Sequence, residues 1–118
     1  MVLVDTSVWV SHLRQANKRL QALLLEGKVL SHPFIIGELA CGRLHKREEI
    51  LRLMDALPTA VLAQHEEILC LIEEKHLMGR GLGYADVHLI ASALLTGVQI
   101  WTLDKVLKNV FDEMCPKK

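Results

Sequence analysis

The sequence has no surplus of charge of either sign: 14 lysines and arginines face 14 aspartates and glutamates. Holding nucleic acid by bulk positive charge requires Lys and Arg in clustered excess. The balance argues against that mode and does not exclude an enzyme acting on nucleic acid. The chain also lacks a long hydrophobic run. Its most apolar stretch, Val87 to Trp101, is interrupted by His88, Ser92, Thr96, Gly97 and Gln99, and is too short and too polar to span a bilayer. The opening Met-Val-Leu-Val meets Asp5 before a signal-peptide core can form. Cysteine is sparse. Cys41, Cys70 and Cys115 are odd in number, far apart and outside any Cys-x-x-Cys pattern, which argues against a disulfide scaffold or a zinc ribbon and for a reducing, cytoplasmic setting. Each is read as a small apolar side chain. With only 7 glycines and 3 prolines against 51% hydrophobic residues, neither disorder nor low complexity is expected. The whole chain, residues 1–118, is read as one domain without a membrane segment.

What is present is a series of short β-branched runs separated by amphipathic stretches. Val2-Leu3-Val4 reads as a buried strand ending at Asp5, with Thr6 or Ser7 as the cap of a helix that carries Val8, Trp9 and Leu13. A helix over 18–26 stops at Gly27; Val29-Leu30-Ser31 is a second strand, and Pro33 opens a helix running to about Gly42. Further helices are expected over 48–57, 65–77 and 84–96, with a third strand at Ala60-Val61-Leu62 and a fourth at 98–102. Asp104 opens a last helix towards Val110, and no fifth strand is legible before the C-terminal Pro116-Lys117-Lys118. Strands alternating with helices imply a mainly parallel sheet covered on both faces, with sites beyond the carboxyl ends of the strands.

Four acidic residues occupy positions where a solvated surface charge is not expected. Asp5 and Asp104 each follow an apolar strand at its carboxyl end, Glu38 lies among Ile35, Ile36, Leu39 and Ala40, and Asp86 sits in the first turn of the helix from Tyr84. Each has a plain reading by itself: an Asx-turn, an N-cap, a helix N-terminal charge, a rim residue. Neighbouring first and fourth strands would bring Asp5 and Asp104 together, whereas topology does not force Asp86 and Glu38 into the same pocket. Four carboxylates in one cleft repel and raise one another's pKa unless a cation neutralises them. Hard divalent ions with oxygen ligands do so, and such clusters serve metal-assisted phosphoryl transfer.

These residues carry a resemblance over nearly the whole chain. Val-Asp-Thr-Ser-Val-Trp at 4–9, Ile-Gly-Glu-Leu at 36–39, Tyr-Ala-Asp-Val-His-Leu-Ile-Ala at 84–91 and Thr-Leu-Asp-Lys at 102–105 resemble, in order and spacing, the blocks of the PIN domain, and within it the VapC-like toxin ribonucleases of toxin–antitoxin modules. The resemblance implies an α/β, PIN-like three-layer sandwich with a mainly parallel four- or five-stranded sheet and helices on both faces. It implies that Asp5, Glu38, Asp86 and Asp104 converge as catalytic and metal-binding residues. Thr6 and Ser7 match the polar pair that orients the first carboxylate or a nearby water, and Thr102 matches a small supporting polar residue. The further acid that many members carry two places after the last one has no counterpart, since Val106 stands there. The implied activity is hydrolysis of RNA phosphodiesters with Mg²⁺ or Mn²⁺, Asp5, Asp86 and Asp104 holding one ion and Glu38 helping with a second or with the water. The implied partners are an RNA substrate, a cognate antitoxin whose C-terminal segment enters the site, and a second copy of the chain in a homodimer.

The alternative is a PIN-like module that binds RNA or protein without catalysis, which a retained acidic quartet disfavours. The six histidines show no paired-ligand spacing, His88 is expected to pack or face solvent, and Gly79 to Gly83 lacks the context of a phosphate-cradling loop. The neutral total conceals an uneven distribution. Without the quartet, ten acids face fourteen bases, and residues 1–47 carry seven Lys/Arg against three acids.

Overall fold

The computed structural model describes residues 1–115. Its centre is a short parallel sheet of β1 (Val2–Val4), β2 (Val29–Leu30) and β3 (Gln99–Trp101), in the order β2-β1-β3. β1 pairs with β2 through Val2–Val29 and Leu3–Leu30, and with β3 through Val2–Gln99, Leu3–Ile100 and Val4–Trp101. Leu3 and Val4 are fully buried and Val29, Leu30 and Ile100 nearly so. These strands therefore read as continuous apolar runs and not as alternating ones, as expected of a parallel sheet covered on both sides.

Among the described residues, seven helices surround the sheet. α1 (Thr6–Arg14) and α2 (Lys18–Leu25) connect β1 to β2. α3 (Pro33–Cys41), α4 (Arg47–Ala56), α5 (His65–Lys75) and α6 (Tyr84–Thr96) connect β2 to β3, and α7 (Lys105–Met114) follows. The chain leaves β1 in one direction to reach β2, then crosses back over β1 to reach β3. Right-handed crossovers in opposite directions put their helices on opposite faces, so the two connections sandwich the sheet. The carboxyl ends of β1 and β3 flank the point where the direction reverses, which is where open α/β sheets form their crevices.

Most expected elements are present within two or three residues of their expected bounds, and Gly27 and Gly97 close their helices with φ of +68° and +78°. The strand expected at Ala60–Leu62 is not formed. The sheet's β2 edge is extended only by a bridge between Ser31 and Thr59, with Ala60 N–H on the Ser31 carbonyl. Beyond it the Val61 N–H bonds the Thr96 hydroxyl at the end of α6, so the chain follows that helix instead of the sheet. Among the described residues the sheet thus has three strands, not four or five; residues 116–118, the end of the C-terminal segment, lie outside them. Cys41 and Cys70 are exposed, Cys115 is half-buried and packs against the core, and all three are free thiols. No helix among the described residues is long and apolar enough to cross a membrane.

Candidate active site

Asp5 directly follows β1, and the sheet itself holds it there: its N–H donates to the Trp101 carbonyl at 2.9 Å, continuing the ladder one step past Val4. The side chain is only 7% exposed. Burying a carboxylate requires donors, and two hydroxyls provide them. Ser7 Oγ and Thr102 Oγ1 donate to Asp5 Oδ2 at 2.8 and 2.7 Å. Each hydroxyl has one proton, already directed at Asp5, so their own 3.3 Å approach is a shared acceptor's geometry and not a third bond. Each accepts in turn from the backbone, Ser7 from Leu103 N–H and Thr102 from Asp104 N–H, both at 3.0 Å. β1, α1 and the β3–α7 turn are therefore joined through one carboxylate oxygen.

Asp104 is the N-cap of α7, its Oδ1 accepting from Val106 and Leu107 N–H at 2.9 and 3.2 Å. Asp86, in the first turn of α6, accepts at Oδ2 from Gly83 N–H at 2.9 Å. The Asp86 carboxyl is held above its ordinary pKa, first by burial and then by the charges of Asp104 and Asp5, against the opposing pull of the Gly83 N–H. Those two charges act on Asp86, so the three aspartates share one electrostatic neighbourhood. Glu38 is exposed on α3 and accepts at Oε1 from Thr6 Oγ1 at 2.8 Å, which ties it to the residue next to Asp5. Neither Thr6 nor Ser7 caps α1. The N-cap position is Asp5, which makes no side-chain cap, and Thr6 and Ser7 lie inside the helix, where their hydroxyls donate to acidic residues.

In all four acids the described hydrogen bonds engage a single carboxylate oxygen: Asp5 Oδ2, Glu38 Oε1, Asp86 Oδ2 and Asp104 Oδ1. The second oxygen of each has no partner among the described residues. An all-oxygen donor set of this kind suits a hard divalent cation. Among the described residues, however, no three Asp, Glu, His or Cys side chains are close enough to enclose an ion as they stand. An ion bound here would have to draw the carboxylates together, and its charge would offset the repulsion that opposes this.

Two features beside the carboxylates were not anticipated from the residues. A groove of about 660 Å³ opens next to Glu38 between α1, α3 and α4, lined by Val10, Leu13, Leu39 and Ile50 with Arg14 and Arg43. Rings from α3, α5 and α6 form an aromatic cluster. His88, 7% exposed, packs between Phe34 and Tyr84 with ring centroids 4.4 and 4.7 Å away, and His65 Nδ1 meets the Tyr84 hydroxyl at 2.6 Å. Below it, buried His32 caps α3: its Nδ1 accepts from Phe34 N–H at 3.0 Å, so Nε2 carries the proton that reaches Ser92 Oγ at 3.1 Å. A histidine before Pro33, where a Ser, Thr, Asp or Asn cap is usual, was the signal in the sequence. The Gly79–Gly83 connector approaches the first turn of α7, with Gly81 at φ +84° near Val106 and Arg80 paired to Glu113.

Residues 2–112 match the family model of the PIN domain. Two curated relatives, each named Ribonuclease VapC32, come from Mycobacterium tuberculosis strains CDC 1551 / Oshkosh and ATCC 25618 / H37Rv. Each is 45% identical to this chain over 109 residues, covering 92% of this chain and 88% of the relative.

Proposed function

The chain belongs to the PIN domain family, and on that premise we propose that residues 1–118 act as one domain, a metal-dependent endoribonuclease and the toxin of a toxin–antitoxin pair. The observation that carries this reading is the shared state of Asp5, Glu38, Asp86 and Asp104, each with one oxygen held by the protein and the other without a partner among the described residues. The ribonuclease name of the relatives supports the substrate class. Asp5, Asp86 and Asp104 are the candidate ligands of one Mg²⁺ or Mn²⁺, with Glu38 assisting a second ion or holding the attacking water. When bound, the cation supplies Lewis-acid activation of water and neutralises charge on the phosphate.

The side chains divide the remaining work. Ser7 and Thr102 fix the rotamer of Asp5 so that its free oxygen is not lost to rotation. Thr6 restrains Glu38, whose stem is exposed and otherwise mobile. Asp104, anchored by two backbone N–H groups, is held as the anionic end of α7. No side-chain nucleophile is required. The products expected are a 5′-phosphate and a 3′-hydroxyl.

The direct test is incubation of the purified chain with single-stranded RNA, with Mg²⁺, with Mn²⁺ and with chelator. Cleavage that disappears on chelation and returns with either ion is the expected result. RNA bound but never cut, with no metal dependence, would identify a non-catalytic binding module instead. Ser7→Ala and Thr102→Ala are each expected to lower cleavage by about 10- to 100-fold, the usual effect of removing a group that orients a metal ligand. The raised pKa of Asp86 gives a further expectation. Its ionised form is less favourable in the folded chain than in the unfolded one, so without divalent ions Asp86→Asn melts at a higher temperature than the wild type while losing cleavage. A lower melting temperature in chelator would contradict that placement.

The proposed partners are the RNA, an antitoxin and a second copy of the chain. A peptide segment reaching the carboxylates past Glu38 would lie in the groove lined by Val10, Leu13, Leu39 and Ile50.

A further inference from the structure

The connector that leads into α6 has glycine at positions 79, 81 and 83. A segment of that composition has little conformational preference of its own, so its contacts decide where it lies. Leu82 packs against the core, and α7 holds the connector at two further points. A methyl group placed on Gly81 would meet Val106 Cγ1 at 3.6 Å. The Arg80 guanidinium donates through both terminal nitrogens to Glu113, to Oε1 at 3.0 Å and to Oε2 at 2.6 Å. Val106 and Glu113 are seven residues apart on α7, two turns along the same face, so one face of that helix receives the connector twice. The arrangement leads directly to two of the carboxylates. Val106 N–H holds Asp104 Oδ1 and Gly83 N–H holds Asp86 Oδ2, each at 2.9 Å. From Gly81, against Val106, to Gly83 is at most about 7 Å of chain. The charge of Asp104 already acts on Asp86, so a shift of the connector along α7 changes a gap across which the two acids interact.

Glu113 is otherwise poorly placed, since a negative charge in the last turn of a helix opposes its dipole. The pair is also open to solvent, the Arg80 side chain being 37% and that of Glu113 56% exposed. Exposed ion pairs contribute little to stability, up to about 1 kcal/mol. What a two-pronged guanidinium–carboxylate pair supplies is geometry, because both bonds form together at only one mutual orientation. We propose that Arg80 and Glu113 are positioning residues: their pair straps the Gly79–Gly83 connector to α7 and so sets the separation of Asp86 from Asp104 for a divalent cation. The proposal rests on the metal-dependent reading above, and in it neither residue touches the metal or the RNA.

Mn²⁺ binding to the intact chain, followed by loss of the free ion's electron paramagnetic resonance signal, tests the strap in Arg80→Gln, Glu113→Gln and the double variant. Long-range charge alone predicts opposite signs, because removing a cation favours Mn²⁺ and removing an anion disfavours it. The strap predicts one sign for both. Each single variant is expected to raise the Kd about fivefold, less than the roughly 10- to 100-fold that follows loss of a group bonded directly to a ligand. The double variant is expected to go no further than either single one. RNA cleavage is expected to fall at limiting Mg²⁺ and to recover at saturating Mg²⁺, with melting temperatures in chelator matching the wild type. Tighter Mn²⁺ binding by Arg80→Gln, unchanged binding in both single variants, or single effects that add in the double variant would overturn the strap and leave the ribonuclease reading standing. A wild-type chain that binds no Mn²⁺ would overturn both.

Discussion

Asp5→Asn is expected to lower RNA cleavage on the order of 10³-fold, the scale on which removal of one electrostatic group from a reacting centre registers, while leaving the melting temperature nearly unchanged. Asn keeps an acceptor oxygen for Ser7 and Thr102, so the bonds joining β1, α1 and the β3–α7 turn persist. What it loses is the charge, and with it the oxygen that no described residue engages. Asp5→Ala should behave differently. It leaves the Ser7 and Thr102 hydroxyls facing a void, and an unsatisfied buried donor costs about 1–3 kcal/mol. Cleavage assays and thermal melts on both variants therefore separate chemistry from scaffolding. Full activity in Asp5→Asn would remove Asp5 from the reaction.

The second large effect is on stability against acid. His32 is 1% exposed, and burial, reinforced by His88, lowers its pKa from 6.5 to about 4. Its hydrogen bonds require the same neutral form: Nδ1 must stay unprotonated to cap α3. The folded chain thus takes up this proton less readily than the unfolded chain. The contribution is complete above pH 6.5 and is lost as pH falls from 6.5 towards 4. It amounts to about 1 kcal/mol by pH 5.5 and approaches roughly 3 kcal/mol below pH 4, a large share of a marginal total. Denaturant unfolding between pH 7.5 and 4.5 measures it. His32→Asn retains a capping oxygen but does not titrate, so it should start less stable and lose stability with a slope shallower by about one proton. Parallel slopes for the two proteins would show that His32 is not the responsible group. Asp86 acts in the opposite sense, since protonating it relieves a folded-state penalty.

The difference between these two residues mirrors what the sequence makes legible. Asp5 and Asp104 could be placed because an apolar run that ends in an acid puts the acid at a strand's carboxyl end. Asp86 could not be placed from topology, because the position of its helix N-terminus depends on how α6 lies over the sheet. Packing decides that, and the expectation that the four acids converge came only from the family resemblance. Ala60–Leu62 misled because three apolar residues suit a strand or an exposed edge segment equally. Val61 and Leu62 turn out exposed, and a hydroxyl on α6 took the Val61 N–H that a strand would have used. Thr6 and Ser7 do not cap α1 because the helix begins one residue earlier than the cap reading required, with Asp5 at the N-cap; their hydroxyls donate instead to Glu38 and to Asp5. The place of His32 before Pro33 signals its local cap on Phe34, but its burial is not legible, because its other partner, Ser92, is 60 residues away.

The bond between Asp5 and Thr102 also has a consequence in time. It spans 97 residues, and the pairing of β1 with β3 spans the same interval. At synthesis rates of about 5–20 residues per second, the second hydroxyl emerges roughly 5–20 s after the carboxylate it must hold. Until then β1 has only β2 to pair with, and Asp104 does not yet exist. On the proposed role of Asp104, a chain that ends before the β3–α7 turn is expected to cleave no RNA.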